Sequence, residues 1–327
     1  MILNAITYNL KGLDIFNNYP FLCLMNNRQE RKEYRAGGKG YYHFCTDGLK
    51  EGLIFHQEDQ YAYGMILLGL ISLRFHLTIY AFALMPNHLH LIVEGTGANC
   101  LDAFDYLKHK LSERHKRDGC VPLPENYWFK LVKIEDEEQL KREIIYVLRN
   151  PLEKGNGTVG GYLWASGWLY FSNLAKAMGG TLAGEMSKRS KYKYFTTEQT
   201  IPDHWRVHPY LGLLPESFVD TTLVERLFPS PKDLQAALVK DYEVYFQMAR
   251  RLGELYEFSK TEIAGIVNQT LQKRFGGRNL MDLTEQDKGK MALILNREYG
   301  LTSYQISKSI FLKELVVRQF LSSKELR

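Results

Sequence analysis

What this chain lacks narrows its reading first. Its 327 residues include only 4 cysteines, Cys23, Cys45, Cys100 and Cys120, and no two are spaced as CxxC. Neither a zinc knuckle nor a disulfide framework is supported, and a reducing cytoplasm is the expected setting. No apolar run reaches the ~18 residues expected of a membrane span. The most apolar stretch, YAYGMILLGLISLRF from Tyr61 to Phe75, reads instead as a first buried helix. No basic leader with an apolar core and a small-residue cleavage site opens the sequence, so secretion is not expected. Charge of one sign is scarce as well: 42 Lys and Arg against 37 Asp and Glu leave a net +5. That balance suits a nucleic-acid partner and suits an ordinary enzyme equally well. With 45% hydrophobic and 24% charged residues, the chain has a globular composition and the length for two domains.

What is present is concentrated in MPNHLHLIVEG, Met85 to Gly95. In a strand, alternate side chains share a face, so His88 and His90 project together while Leu89 and Leu91 point the other way. Two imidazoles on one rigid strand make a two-pronged platform for a metal; they are equally two packing or surface residues unless a partner lies elsewhere. The partner is sought in DEEQLKREIIYVLRNPLEKG, Asp136 to Gly155. Leu140, Ile144, Ile145 and Leu148 repeat at helical spacing, the start is acidic, and Pro151 follows Asn150, which describes an amphipathic helix over Glu137 to Arg149. Tyr146 and Asn150, four apart, share a face of that helix. A phenol with a pKa near 10 is a poor nucleophile; a metal on the electrophile and nearby positive charge would compensate, and Arg142 and Arg149, one helical turn away, are candidates to bind DNA phosphate or to favour phenolate. The alternative is a tyrosine half-buried on an amphipathic helix with an asparagine near its end.

Together, MPNHLHLIVEG and YVLRNP some fifty residues later resemble the HUH and single-tyrosine motifs of the REP-associated tyrosine transposases, relatives of the insertion-sequence-200 transposases. YYHFCTDGLKEGLIF, Tyr41 to Phe55, is similar to that family's first strand and turn, so the resemblance spans about residues 38 to 172. It implies His88, His90 and Asn150 as metal ligands, Tyr146 as nucleophile and Mg²⁺ or Mn²⁺ as cofactor. Two imidazoles and an amide oxygen also leave positions open for phosphate oxygens, which favours a hard cation. The implied reaction is transesterification on single-stranded DNA, of hairpin or repeat sequence, through a 5′-phosphotyrosine intermediate. Here VPLPENYWFKLVKI replaces the family's usual GHLWQGRF-like segment, only Trp128 and Phe129 being reminiscent of it. The chain also carries an N-terminal extension before Tyr41 and a long C-terminal region that short family members lack.

Further strands are expected over Gly40 to Cys45, Leu77 to Met85, His88 to Glu94 and Trp128 to Ile134, and helices over Gln60 to His76 and Cys100 to Arg117. Pro86-Asn87 reads as a tight turn joining two of these strands into a hairpin. The fold class expected is α+β: an antiparallel sheet with flanking helices, ferredoxin-like or RRM-like, followed by an all-helical domain. Residues 1–180 would form the catalytic domain, 181–201 a basic and aromatic linker, and 202–327 a helical domain without strands.

Two basic segments offer DNA contacts. KHKLSERHKRDG carries Lys108 and Arg114; SKRSKYKYF interleaves Lys188, Arg189, Lys191 and Lys193 with aromatic rings, a pattern that suits stacked bases and phosphates. Each could instead be a solvated helix face or a spacer. Helices are expected over Lys232 to Leu255, Lys260 to Phe275 and Thr284 to Tyr299. Gly300 then closes a helix, Thr302 and Gln305 form a capping box, and Lys313 to Leu321 forms a last helix. This layout over residues 284–322, KMALILNREYGLTSYQISKSIFLKELVVRQFL included, resembles the helix-turn-helix DNA-binding domain of the replication initiator DnaA. Lys313, Arg318 and Gln319 are its candidate contacts to duplex DNA. The reading is a metal-dependent single-stranded DNA transposase or recombinase; its alternatives are a domesticated DNA-binding regulator with this fold, or a metal nuclease that activates water. Whether the protein acts as monomer or dimer is left open by the sequence.

Overall fold

A computed structural model describes residues 20–46, 52–153, 159–239 and 260–322. It is an α+β molecule that divides into two units, residues 1–148 with 158–234 and residues 149–157 with 235–327. The elements of the first are α1 (Pro20–Ala36), β1 (Lys39–Thr46), α2 (Glu58–Arg74), β2 (Thr78–Leu84), β3 (Leu89–Thr96), α3 (Gly97–Asp118), β4 (Phe129–Ile134) and α4 (Glu137–Glu153), whose last residues fall to the second unit. After them come α5 (Leu174–Ala177), β5 (Thr181–Leu182), α6 (Lys188–Phe195), β6 (Arg206–His208), β7 (Gly212–Leu213), α7 (Thr222–Leu227) and α8 (Pro231–Val239).

The first four strands form one antiparallel sheet in the order β2-β3-β1-β4. β3 is interior because LHLIVEGT is apolar enough to be covered on both sides, and the Pro86-Asn87 turn folds it back on β2, Met85 N–H donating to the carbonyl of His88 at 2.9 Å. Period-2 alternation then sorts the side chains. One face carries Phe44, Leu89, Leu91, Val93 and Phe82, which α2 and α3 cover; the Phe104 and Phe129 rings stack at 4.4 Å within that core. Each such fully buried side chain stabilises the fold by about 1.5–3 kcal/mol. The opposite face is different in kind: it carries His43, Cys45 and His90, and α4 lies over it. α3 is held at its ends by the Thr96 hydroxyl, which accepts from Asn99 N–H, and by Gly119 in the left-handed region.

Both outer edges of the sheet are occupied. Along β2, Phe82 N–H donates to Ser166 Oγ (3.0 Å), Leu84 N–H to the Trp164 carbonyl (2.8 Å), and Asp220 N–H to the Ile79 carbonyl (2.9 Å). The phenols of Tyr162 and Tyr170 donate to the carbonyls of Leu84 (2.7 Å) and Tyr80 (2.6 Å). On β4, Leu131 N–H donates to the Tyr34 phenol at 3.2 Å. Helix α1, not expected from the sequence, reaches that position because Arg31 pairs with Asp105 at 2.7 Å and stacks on Trp128, while Glu30 accepts from the Trp128 indole at 2.6 Å.

Several expectations need correction. The stretch 181–201 is not a free spacer: it folds as β5 and α6, and Phe195 and Ile201 are buried in the main core. Strands do occur after residue 202: β6 and β7 join β5 in a second small sheet. They are two or three residues long, too short for alternation to register in the sequence. α4 runs through Pro151 to Glu153 instead of stopping before it. The helix expected over Lys232 to Leu255 is seen as α8 as far as Val239, and residues 240–259 lie outside the described residues, as do residues 1–19 of the N-terminal extension and 47–51 of the expected first turn.

The second unit contains α9 (Lys260–Arg274), α10 (Glu285–Tyr299), α11 (Ser303–Ile310) and α12 (Glu314–Ser322). Gly300 closes α10 in the left-handed region, and Thr302 with Gln305 forms the expected capping box on α11. Ile266, Met291, Leu295, Ile306, Ile310 and Val317 are fully buried in its core.

Candidate active site and metal centre

The site grows from strand register. β1 and β3 pair so that Cys45 stands opposite His90 and His43 opposite Ile92, which puts His43, Cys45, His88 and His90 on one face. The face is dry: His43 and His90 are 0% exposed, and His88 and Cys45 are buried with them. Helix α4 brings Glu143 and Tyr146, three apart and therefore on one side of the helix, onto the imidazoles. The Tyr146 ring centroid lies 5.5 Å from that of His90 and 5.8 Å from that of His43, and the His88 and His90 rings are 4.8 Å apart in an edge-to-face arrangement. Of the sequence candidates, His88, His90 and Tyr146 are thus neighbours. Asn150 follows Tyr146 by one turn of the same helix and is buried.

Three residues of the cluster are not among the sequence candidates: His43, Cys45 and Glu143. His43 Nδ1 lies 2.6 Å from Glu143 Oε2, and His43 Nε2 lies 3.0 Å from His90 Nδ1. A carboxylate only accepts, so His43 carries a proton on Nδ1; with that ring neutral, its Nε2 lone pair faces His90. His90 then holds its proton on Nδ1 and presents the lone pair of Nε2. His88 reaches the same state by a local route, its Nδ1 donating to Asn87 Oδ1 at 2.8 Å. Both histidines of the HxH pair therefore have Nε2 as the basic nitrogen, the protonation state a divalent cation requires, with the second nitrogen fixed by a hydrogen bond as metal-binding histidines normally have it.

A second ligand grouping shares the face. Ligand atoms of His43, Cys45 and His90 all lie within 4.8 Å of one another, a compact N₂S set compatible with a metal. Both nitrogens of His43 are engaged, however, so coordination by His43 would break its bond to Glu143 or to His90. A signal for His43 and Cys45 existed in the i, i+2 spacing within YYHFC, but only pairing with β3 gives it meaning. Lys130, opposite Cys45 on β4, adds a cation to the same face.

The expected DNA contacts have mixed placements. Arg142 is exposed and Arg149 buried. Lys108 donates from Nζ to the carbonyls of Glu125 (2.7 Å) and Tyr127 (2.8 Å), and burial holds its pKa below the usual lysine value. Arg114 pairs with Asp118 at 2.6 Å and with Asp59, and its guanidinium lies 5.4 Å above the Tyr63 ring. These two side chains hold the fold together. On α6, Lys188, Arg189 and Lys193 are exposed beside Tyr192, whereas Lys191 pairs with Asp203 at 3.0 Å. In the second unit Lys313 and Gln319 are exposed, and Arg318 reaches Glu314 at 2.7 Å.

No helix among the described residues is long and apolar enough to cross a membrane. No protein-family model matches the chain, and no curated protein matches it. One similar solved structure is that of a REP-associated tyrosine transposase bound to a REP hairpin: it is 16% identical, the match covers 39% of this chain and 77% of that one, and the TM-score is 0.32. At a TM-score of 0.32 that likeness carries no argument about family or activity, and the functional reading rests on the chain's own residues.

Proposed function

We propose that this protein cuts and rejoins single-stranded DNA through Tyr146, assisted by a divalent cation held by His88 and His90 with Asn150 as third ligand. The observation that carries the reading is the packing of the Tyr146 ring against His90 and His43, on the face where both HxH histidines present Nε2. The donor set fits such an ion: with His43 neutral, both imidazoles present Nε2 while Nδ1 is hydrogen-bonded. A bound Mg²⁺ or Mn²⁺ would supply Lewis-acid polarisation of a phosphate oxygen, worth several kcal/mol in the transition state. Tyr146 does the covalent work: its Oη attacks phosphorus, the Oη–P bond forms, the P–O3′ bond breaks, and the phenolic proton ends on the released 3′ hydroxyl. A second 3′ end reverses the step on a new strand.

Tyr146 is 1% exposed, so α4 must lift from the sheet before a phosphate reaches it. Lys188, Arg189 and Lys193 of α6, Arg142 and Lys130 supply the phosphate contacts of the first unit, and Lys313 and Gln319 those of the second. Incubation with Mn²⁺ and labelled hairpin oligonucleotides is expected to give a protein-DNA adduct that survives denaturation and disappears in Tyr146→Phe. Cleavage that persists without an adduct would assign the site to a water nucleophile; binding with no cleavage would make the protein a regulator.

A further inference from the structure

The second unit leaves three large apolar side chains in water on two adjoining helices: Tyr304 is 60%, Phe311 69% and Leu315 70% exposed. Tyr304, Lys308 and Phe311 recur at i, i+4 and i+7, on the side of α11 away from the buried Ile306 and Ile310. The Lys308 ammonium stands 5.7 Å over the Tyr304 ring. Phe311 ends α11 with φ +54°, the left-handed conformation that Gly300 adopts at the end of α10 without a side-chain penalty. An aromatic residue there is unfavourable twice, through its backbone and through its hydrated ring. Leu315, Arg318 and Gln319 continue the surface along the exposed side of α12, and Lys313 lies between the helices.

We propose that Tyr304, Phe311 and Leu315 form a platform for unpaired bases of DNA, with Lys308 and Lys313 at the phosphates. Flat rings interleaved with cations match a strand whose base faces are open, because stacking takes the bases while the cations take the backbone. A duplex hides those faces in its own stack, and a purely apolar partner would have no use for two flanking cations. The inference takes DNA as the partner from the reading above, and it adds a second place where single-stranded DNA is held, in the other unit from Tyr146.

The test uses the full chain carrying Tyr146→Phe, so that nothing is cut, with a hairpin bearing a single-stranded tail labelled with 2-aminopurine and the same hairpin made blunt. Stacking on the platform quenches the label. Phe311→Gly and Tyr304→Ala are expected to weaken tail binding at least about fivefold and to reduce the quench, with blunt-hairpin affinity unchanged. Phe311→Gly should also melt at the same or a higher temperature, since glycine relieves the backbone. Unchanged tail affinity and quench in both variants, equal loss on the blunt hairpin, or a change of oligomeric mass in Phe311→Gly would each overturn the assignment. Adduct formation by Phe311→Gly with Tyr146 intact tests the active-site reading on its own.

Discussion

Glu143→Gln is the sharpest perturbation of the proposed centre, because it changes charge without changing shape. Gln139 Nε2 donates to the other Glu143 oxygen at 3.5 Å, so Gln at 143 is expected to keep its oxygen there and turn its amide nitrogen to His43 Nδ1, which moves the ring proton to Nε2. His43 Nε2–H would donate to His90 Nδ1, and His90 would hold its proton on Nε2, the nitrogen needed by the cation. The bonds through which this passes are 2.6 Å and 3.0 Å long and fully buried, so water cannot substitute. Loss of an orienting partner of this kind weakens metal binding about 10- to 100-fold, or about 1.4–2.7 kcal/mol. At Mn²⁺ one hundred times the wild-type Kd, bound ion stabilises the wild type by about 2.7 kcal/mol, against about 1.4 kcal/mol for a tenfold weaker variant and about 0.4 for a hundredfold weaker one. Thermal melting with and without Mn²⁺ reads this difference directly, and Glu143→Asp should recover part of it. A Mn²⁺-dependent rise equal to wild type in a well-folded Glu143→Gln protein would refute the relay.

Three further outcomes follow from the geometry. Chelation with EDTA should abolish cleavage and adduct formation together, and His90→Ala should remove the Mn²⁺-dependent melting shift that Tyr146→Phe retains. Gly212→Ala places a Cβ against the Ala62 carbonyl at φ +72° and should destabilise the first unit by more than about 2 kcal/mol in urea unfolding. The Tyr80 phenol donates to Glu94 at 2.7 Å and holds that carboxyl below the usual range, helped by Lys39. A depressed carboxylate contributes stability above its unfolded pKa of about 4.3 and loses it as pH falls through the native value. Tyr80→Phe should therefore lower the melting temperature at pH 7 and flatten its fall below about pH 4.3.

Local periodicity made much of this molecule legible. The strands through His90 and Cys45, the Pro86-Asn87 turn, α2, α3 and the caps at Gly300 and Thr302 all carry their signal within a few residues. The HxH pair and Tyr146 were legible because spacing within a strand or helix fixes which side chains share a face. His43 and Glu143 were not, because their meaning depends on β1 pairing with β3 across 47 residues and on α4 covering that face. Lys108 and Arg114 read as DNA contacts for a related reason: a sequence shows the cation and conceals the carbonyls and carboxylates that occupy it.

The occupied margins of the four-stranded sheet have a consequence for how copies of this protein can associate. A peptide or a second chain extends a sheet by pairing with unclaimed amides and carbonyls along an outer strand. Here the phenols of Tyr162 and Tyr170, the Ser166 hydroxyl and the Trp164 carbonyl already claim β2, and Tyr34 claims Leu131 on β4. Extension of this sheet along β2 by another chain would require stripping off these guards.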